Sequence, residues 1–246
     1  MDFGIEGKTA LVTGGSSGLG LGCAQALAEE GVRVCLVSRN AEKLAAASAT
    51  IPKSSTFVCD ISDAADLQKM MTATEAELGQ VDIVIANGGG PPPGNFETTD
   101  LVAYRDALAL NMLPMIAMCK RFIPSMQSRG WGRVVAITSI SVREPIDTLI
   151  LSNTARAGLT AFLKTTSREV AGDGVTVNSL QPGLHLTERL GAMFDDPAPL
   201  AATLPTGVIG DPADFGKFAA FLCSDAAKFV TGAAIPLDGG NSHGLQ

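Results

Sequence analysis

The chain has 246 residues, 46% of them hydrophobic, which is enough for one large domain with a buried core. Eighteen basic residues against 25 acidic ones give a formal charge of -7, with no basic stripe of the kind a duplex nucleic-acid binder carries. Two histidines suggest no metal site, and five scattered cysteines (Cys23, Cys35, Cys59, Cys119, Cys223) without a CxxC pair read as reduced core thiols.

Short apolar, β-branched runs alternate with longer helical patterns. In chain order the expected strands are Thr9–Thr13, Val32–Val37, Thr56–Cys59, Ile83–Ala86, Val134–Thr138, Val175–Ser179 and Ala234–Pro236. The helical patterns between them are Gly18–Glu30, Ala41–Ala49, Ala64–Leu78, Asp100–Ser128, Asn153–Ala171 and Pro212–Ser224. Near-continuous hydrophobicity in the strands predicts burial on both faces, as in parallel sheets. The alternation predicts one α/β domain, a Rossmann-type doubly wound parallel sheet of about seven strands with helices on both faces. The opening Met1-Asp2-Phe3-Gly4 lacks a basic region followed by an apolar run, and no apolar stretch looks long enough to span a bilayer. A cytoplasmic protein without membrane or nucleic-acid partners is the expectation.

Ligands of such sheets bind beyond the carboxyl ends of the strands. The first loop there is Thr13-Gly14-Gly15-Ser16-Ser17-Gly18-Leu19-Gly20. Its glycines allow a tight turn and close approach to a pyrophosphate, and the following helix N-terminus offers free N–H groups. The second strand ends Leu36-Val37-Ser38-Arg39-Asn40 without a carboxylate. A carboxylate there would take the ribose 2′-OH of NAD, whereas Arg39 can pair with a 2′-phosphate. NADP(H) is therefore expected over NAD(H), although Arg39 also reads as an ordinary surface arginine. After the fourth strand, Asn87-Gly88-Gly89-Gly90-Pro91-Pro92-Pro93-Gly94 is too unusual for a simple turn. Pro114 cannot donate to the Leu110 carbonyl, so the long helix should open beside Asn111, where a water could be held.

The spacing TGxxxGxG resembles the short-chain dehydrogenase/reductase family, and further motifs follow in order along nearly the whole chain. Asp60-Ile61 resembles the family's adenine-contacting acidic segment, Asn87-Gly88-Gly89 its NNAG loop, and Asn111 its helix Asn. Ser139 resembles the catalytic Ser. Gln181-Pro182-Gly183 resembles the segment beside the nicotinamide, Thr187 the Thr near the carboxamide, and Asp238-Gly239-Gly240 the C-terminal signature. The resemblance implies oxidoreduction of a small-molecule carbonyl or alcohol and a homotetramer or homodimer built on the long helices after Asp100 and Ser152.

It also implies a catalytic Tyr with a Lys four residues later, since a phenol needs a nearby cation to act as a base near neutrality. Those positions hold Ser152 and Arg156, thirteen and seventeen residues after Ser139. Arg156 can bind ribose hydroxyls but does not readily release a proton. Ser152 can relay a proton only from another source. Candidate sources are His185, two residues past Gly183, and a water near Asn111. His185 also reads as a residue that meets the cofactor through its backbone alone. Tyr104, the chain's single Tyr, reads as an ordinary helix residue, and Thr187 also as a helix N-cap. Arg143 and Glu144 could reach the pocket or form a structural pair. Residues 184–210, with Met193, Phe194 and Leu200, read as an apolar lid over a hydrophobic substrate.

Two readings follow. One is an NADP(H)-dependent oxidoreductase with a non-standard proton path through Ser139, Ser152 and Arg156. The other is a dinucleotide-binding protein without ordinary reductase activity, whether a regulatory or partner subunit or a non-redox lyase or isomerase.

Overall fold

The computed structural model describes residues 2–196 and 198–244. Seven parallel strands form one sheet in the order β3-β2-β1-β4-β5-β6-β7. They are β1 (Thr9–Thr13), β2 (Arg33–Ser38), β3 (Ser55–Val58), β4 (Ile83–Ala86), β5 (Gly132–Ile137), β6 (Val175–Pro182) and β7 (Ala234–Leu237). The helices are α1 (Gly18–Glu29), α2 (Ala41–Ala49), α3 (Ala64–Leu78), α4 (Leu101–Asn111), α5 (Leu113–Arg129), α6 (Ile150–Val170), α7 (Glu188–Met193), α8 (Ala198–Ala201) and α9 (Pro212–Leu222). The expected doubly wound sheet is present.

Alternation along each central strand builds two cores. Leu11 and Val84 face one layer with Met70, Met118, Phe122, Leu159 and Leu163 of α3, α5 and α6. Ala10, Val12, Ile83 and Ile85 face the other with Cys23, Leu27, Leu44 and Phe215 of α1, α2 and α9. All five cysteines are buried and unpaired, as expected, and burial pushes the Cys119 thiol up to about 12. Helices α1 and α9 cross backbone to backbone. A Cβ on Gly22 would collide with the Pro212 carbonyl, and one on Gly216 with the carbonyl of Gly22.

Three expectations about element boundaries change. First, the helix expected over Asp100–Ser128 is two helices, broken at Met112 (φ -128, ψ -60). Pro114 starts the second, where its missing N–H costs no helical bond. The 18-residue stretch within Leu101–Arg129 has a mean hydropathy of 1.2, so by length and composition it matches a membrane span. The sequence reading excluded any such stretch. Met115, Met118 and Phe122 of this segment lie in the core. Second, β5 begins at Gly132, before the charge at Arg133. That side chain is buried, donates to the carbonyls of Gly132, Gly174 and Ser224, and faces Asp225 at 3.4 Å. Third, β6 runs on to Pro182, whose partner is Leu237 of β7. Proline is tolerated at a strand end because no ladder N–H is needed there.

Candidate active site

Strands β1 and β4 are neighbours, and the helices that follow them lie on opposite faces of the sheet. This is the topological switch point of a doubly wound fold, where a crevice opens. The two loops there are tied together. The Thr13 hydroxyl donates to the Asn87 carbonyl (2.7 Å) and accepts from the Asn87 N–H (2.9 Å), and Asn87 Nδ2 donates to the Gly14 carbonyl (3.3 Å).

Gly14 and Gly18 have φ values of +59° and +53°, which only glycine adopts without strain. A Cβ on Gly20 would strike the Gly14 carbonyl. Helix α1 then starts without a side-chain cap from Ser17. By contrast, α2, α3, α4 and α9 each carry one, from Asn40, Asp63, Asp100 and Asp211. The first-turn N–H groups of Gly18, Leu19 and Gly20 therefore face the crevice available to an anion.

At the end of β2, Ser16 Oγ donates to Ser38 Oγ at 2.8 Å. Arg39 lies beside them, 67% exposed, and its guanidinium is 3.9 Å from Asp60. Asp60 accepts from the Ser62 hydroxyl and N–H, and these bonds together with Arg39 hold its carboxyl below the usual range. Ile61 is buried beneath the same rim.

Deeper in the crevice, α6 carries Ser152 and Arg156 one turn apart on one face. Arg156 Nη1 donates to the carbonyls of Ile137 (2.7 Å) and Thr138 (3.0 Å), and Nη2 to that of Gly88 (3.4 Å). These bonds pin α6 against the end of β5 and against the β4 loop. Two of the five guanidinium N–H groups have no protein acceptor among the described residues. The side chain is 8% exposed, and burial followed by the charge of Arg189 pushes its pKa down to about 10. Ser152 is 6% exposed, and its hydroxyl has no partner among the described residues. Ser139 directly follows the two carbonyls that hold Arg156, and its Oγ accepts from the Ser141 N–H at 3.1 Å.

The helix break expected beside Asn111 is present. Asn111 is buried and its Nδ2 donates to the Gly89 carbonyl at 2.6 Å, while its Oδ1 has no partner. The Leu110 carbonyl faces Gly88.

His185 requires a correction. Its ring does not face the crevice. It packs edge-on against Phe215 of α9 (5.2 Å between centroids) and against Gly210, with Nδ1 3.3 Å from the Gly183 carbonyl. It is 8% exposed, and burial pushes its pKa below the ordinary 6.5. A neutral, walled-in ring is poorly placed to deliver a proton. The pair Arg143 and Glu144 is also structural. Arg143 donates to Gln181 and to the Ala234 carbonyl, and Glu144 accepts the N–H groups of His243 and Gly244. Tyr104 packs against the Ala107, Leu151 and Ala155 cluster between α4 and α6.

Past Pro182, the Gly183 backbone packs on Asp238, where a Cβ would lie 2.8 Å from its Cα. Thr187 caps α7 through the Leu190 N–H, and its methyl lies against Gly18. Glu188 pairs with Lys43 of α2, and the guanidinium of Arg189 lies on Gly90. Helix α7 thus crosses the crevice from the Gly-rich loop to the β4 loop. Arg189 and Lys43 were not foreseen, because their roles depend on where the lid lands. Within residues 184–210, expected as a lid, Met193 and Phe194 are exposed, while Pro197 lies outside the described residues.

Residues 14–242 match the family model described as enoyl-(acyl carrier protein) reductase. D-threitol dehydrogenase of Mycolicibacterium smegmatis is 33% identical over 245 residues, covering 97% of this chain and 94% of that one. The 3-oxoacyl-(acyl-carrier-protein) reductase FabG of Escherichia coli is 30% identical over 238 residues, covering 96% and 98%. Among solved structures, L-sorbose reductase of Gluconobacter frateurii, complexed with NADPH and L-sorbose, superposes with a TM-score of 0.93 at 27% identity over the whole of both chains. A 3-oxoacyl (acyl-carrier-protein) reductase of Agrobacterium tumefaciens with NADP bound gives 0.89 at 30% identity, covering 97% and 96%. The chain is a member of the short-chain dehydrogenase/reductase family, an oxidoreductase fold built around the crevice described above.

Proposed function

We propose that this enzyme is an NADP(H)-dependent oxidoreductase that interconverts a carbonyl and an alcohol by a non-standard proton path. The observation that carries the reading is the combination of an uncapped α1 N-terminus, a Ser16–Ser38–Arg39 rim without a strand-end carboxylate, and Ser139 beside a buried cation. The residues fit a phosphorylated dinucleotide. The Gly14–Gly20 loop would hold the pyrophosphate, Ser38 and Arg39 the 2′-phosphate, and Asn87, Gly88 and Arg156 the nicotinamide-side ribose. When bound, the cofactor supplies or accepts a hydride equivalent at carbon.

The protein's part is to place the substrate oxygen and manage one proton. Ser139 Oγ and Ser152 Oγ orient the oxygen. Arg156, fixed by three carbonyls, stabilises the negative charge that develops on it. Neither serine is acidic enough to be the ultimate donor. Ser152 relays a proton from a water held at Asn111 Oδ1 and the Leu110 carbonyl, to which Pro114 cannot donate. The same reading includes a homo-oligomer formed through the long helices α4, α5 and α6, where Leu101, Val102 and Leu113 of the first two are 70%, 59% and 55% exposed.

The test is fluorescence titration with NADPH and NADH, followed by a carbonyl panel with Ser139→Ala and Ser152→Ala. Turnover should vanish in Ser139→Ala and fall about 10- to 100-fold in Ser152→Ala, with NADPH affinity kept in both. Binding of NADPH with no turnover by the parent across the panel would instead favour the binding-protein reading.

A further inference from the structure

Two arginines meet on the β4 loop without a carboxylate between them. Arg156 reaches it from α6 and donates to the Gly88 carbonyl. Arg189 reaches it from α7, lying on Gly90 with Nη2 3.5 Å from the Pro91 carbonyl. A side chain at Gly90 would occupy the position of that guanidinium, so the loop is shaped to receive it. The two charges act on each other, and the only influences that lower the Arg156 pKa are burial and Arg189.

The rest of the chain shows how such cations are usually handled. Buried Arg133 faces Asp225, and Arg129 faces Asp82. Neither Arg156 nor Arg189 has an ion-pair partner among the described residues. The carboxylate next to Arg189, Glu188, pairs with Lys43 instead. A buried cation with a second cation as its charged neighbour is costly unless an anion arrives to balance it. The cofactor's own anions have places elsewhere, at the α1 N-terminus and at Arg39. Arg189 lies instead on the Gly90–Pro91 backbone of the β4 loop, the loop that begins at Asn87.

We infer that Arg189, exposed on α7 with its guanidinium on the β4 loop that Arg156 also reaches, is a specificity residue that receives a carboxylate on the substrate. The inference rests on the proposed reading of the crevice as a reductase site. The exposed Met193 and Phe194 in the same segment suit an acid with a hydrophobic body. Binding of the acid would hold α7 down across the crevice, because the anion bridges the lid to α6. The guanidinium fork fits carboxylate geometry at two points, which a neutral ester cannot match.

The experiment uses the NADPH-bound protein and two probes, benzoylformate and its methyl ester, with binding read from the cofactor fluorescence so that turnover is not required. The parent should prefer the acid at least tenfold. Arg189→Met should lose that preference while NADPH affinity changes by less than about twofold, and Arg189→Lys should recover part of it. Equal affinity for acid and ester in the parent, or no acid binding up to ~10 mM, overturns the inference. A loss confined to NADPH affinity in Arg189→Met also overturns it and assigns the arginine to the cofactor diphosphate. A parent that fails to bind NADPH refutes the cofactor reading and this inference together. Acid-selective binding without turnover upholds the inference and counts against the reductase reading alone.

Discussion

Replacing Arg39 by Ala isolates the interaction on which the choice of cofactor rests. The side chain is 67% exposed, and the one carboxylate near it, Asp60 at 3.9 Å, is 42% exposed. Two charges about 4 Å apart in bulk water attract by ~1 kcal/mol, rising to ~4 kcal/mol near a protein surface. Hydrogen bonds to a charged group contribute ~1.5–3 kcal/mol net. The high exposure argues for the lower part of that range, and the competing pull of Asp60 removes a few tenths more. Arg39→Ala should therefore weaken NADPH binding by about 1.5 kcal/mol, roughly tenfold, and leave NADH within about twofold. The loss should shrink as salt is raised, because an exposed pair is screened. Fluorescence titration of both cofactors at two ionic strengths measures this directly. Equal weakening of NADH and NADPH would refute the reasoning, since Arg39 would then shape the loop instead of reading the phosphate.

Two further outcomes test the scaffold. Gly22→Ala drives a methyl into the Pro212 carbonyl and forces α1 and α9 apart, so it should cost ~1–3 kcal/mol and lower the melting temperature by roughly 3–10 °C; an unchanged melt would show that the crossing is slack. His185 has a folded pKa below its unfolded 6.5, so the unfolded chain takes up the proton first as pH falls. Stability should thus be full above about pH 6.5 and decline below it. His185→Gln should flatten the melting-temperature profile between about pH 5 and 7, a window above the carboxylate titrations; an identical slope in both proteins would contradict the buried-ring assignment.

The parts of the structure readable from sequence are those with a local cause. The Gly14–Gly20 loop announced itself because tight turns restrict residue type within a few positions, and the break at Met112 followed from one missing N–H at Pro114. Arg133 hid the start of β5 because its charge argues for solvent. The compensation comes from Asp225, Gly174 and Ser224, which only the fold brings near. His185 left two readings open for the opposite reason. Its position beside Pro182-Gly183 is right for the crevice, but side-chain direction there depends on Phe215 and Gly210. Arg189 had no local signal, since its target is the Gly90 backbone about a hundred residues away.

On the proposed reading, in which Ser152 and Arg156 stand at the positions of the family's Tyr and Lys, the two residues make sense as a linked pair. A lysine at 156 would have a phenol to acidify; with Ser152 before it, there is no phenol to tune. A guanidinium suits the remaining task better. Its fork holds the carbonyls of Ile137, Thr138 and Gly88 at once and still leaves N–H groups over. The cation becomes a rigid part of the crevice floor, charged at any working pH even with its pKa pushed down to about 10. On the proposed mechanism, charge stabilisation is then carried by a fixed group and proton supply by a mobile one at Asn111. A fixed, uncompensated cation is also what gives Arg189 its meaning. The buried Arg156 is satisfied by carbonyl dipoles, and on the inference drawn above a substrate carboxylate at the exposed Arg189 would supply the opposite sign to the pair.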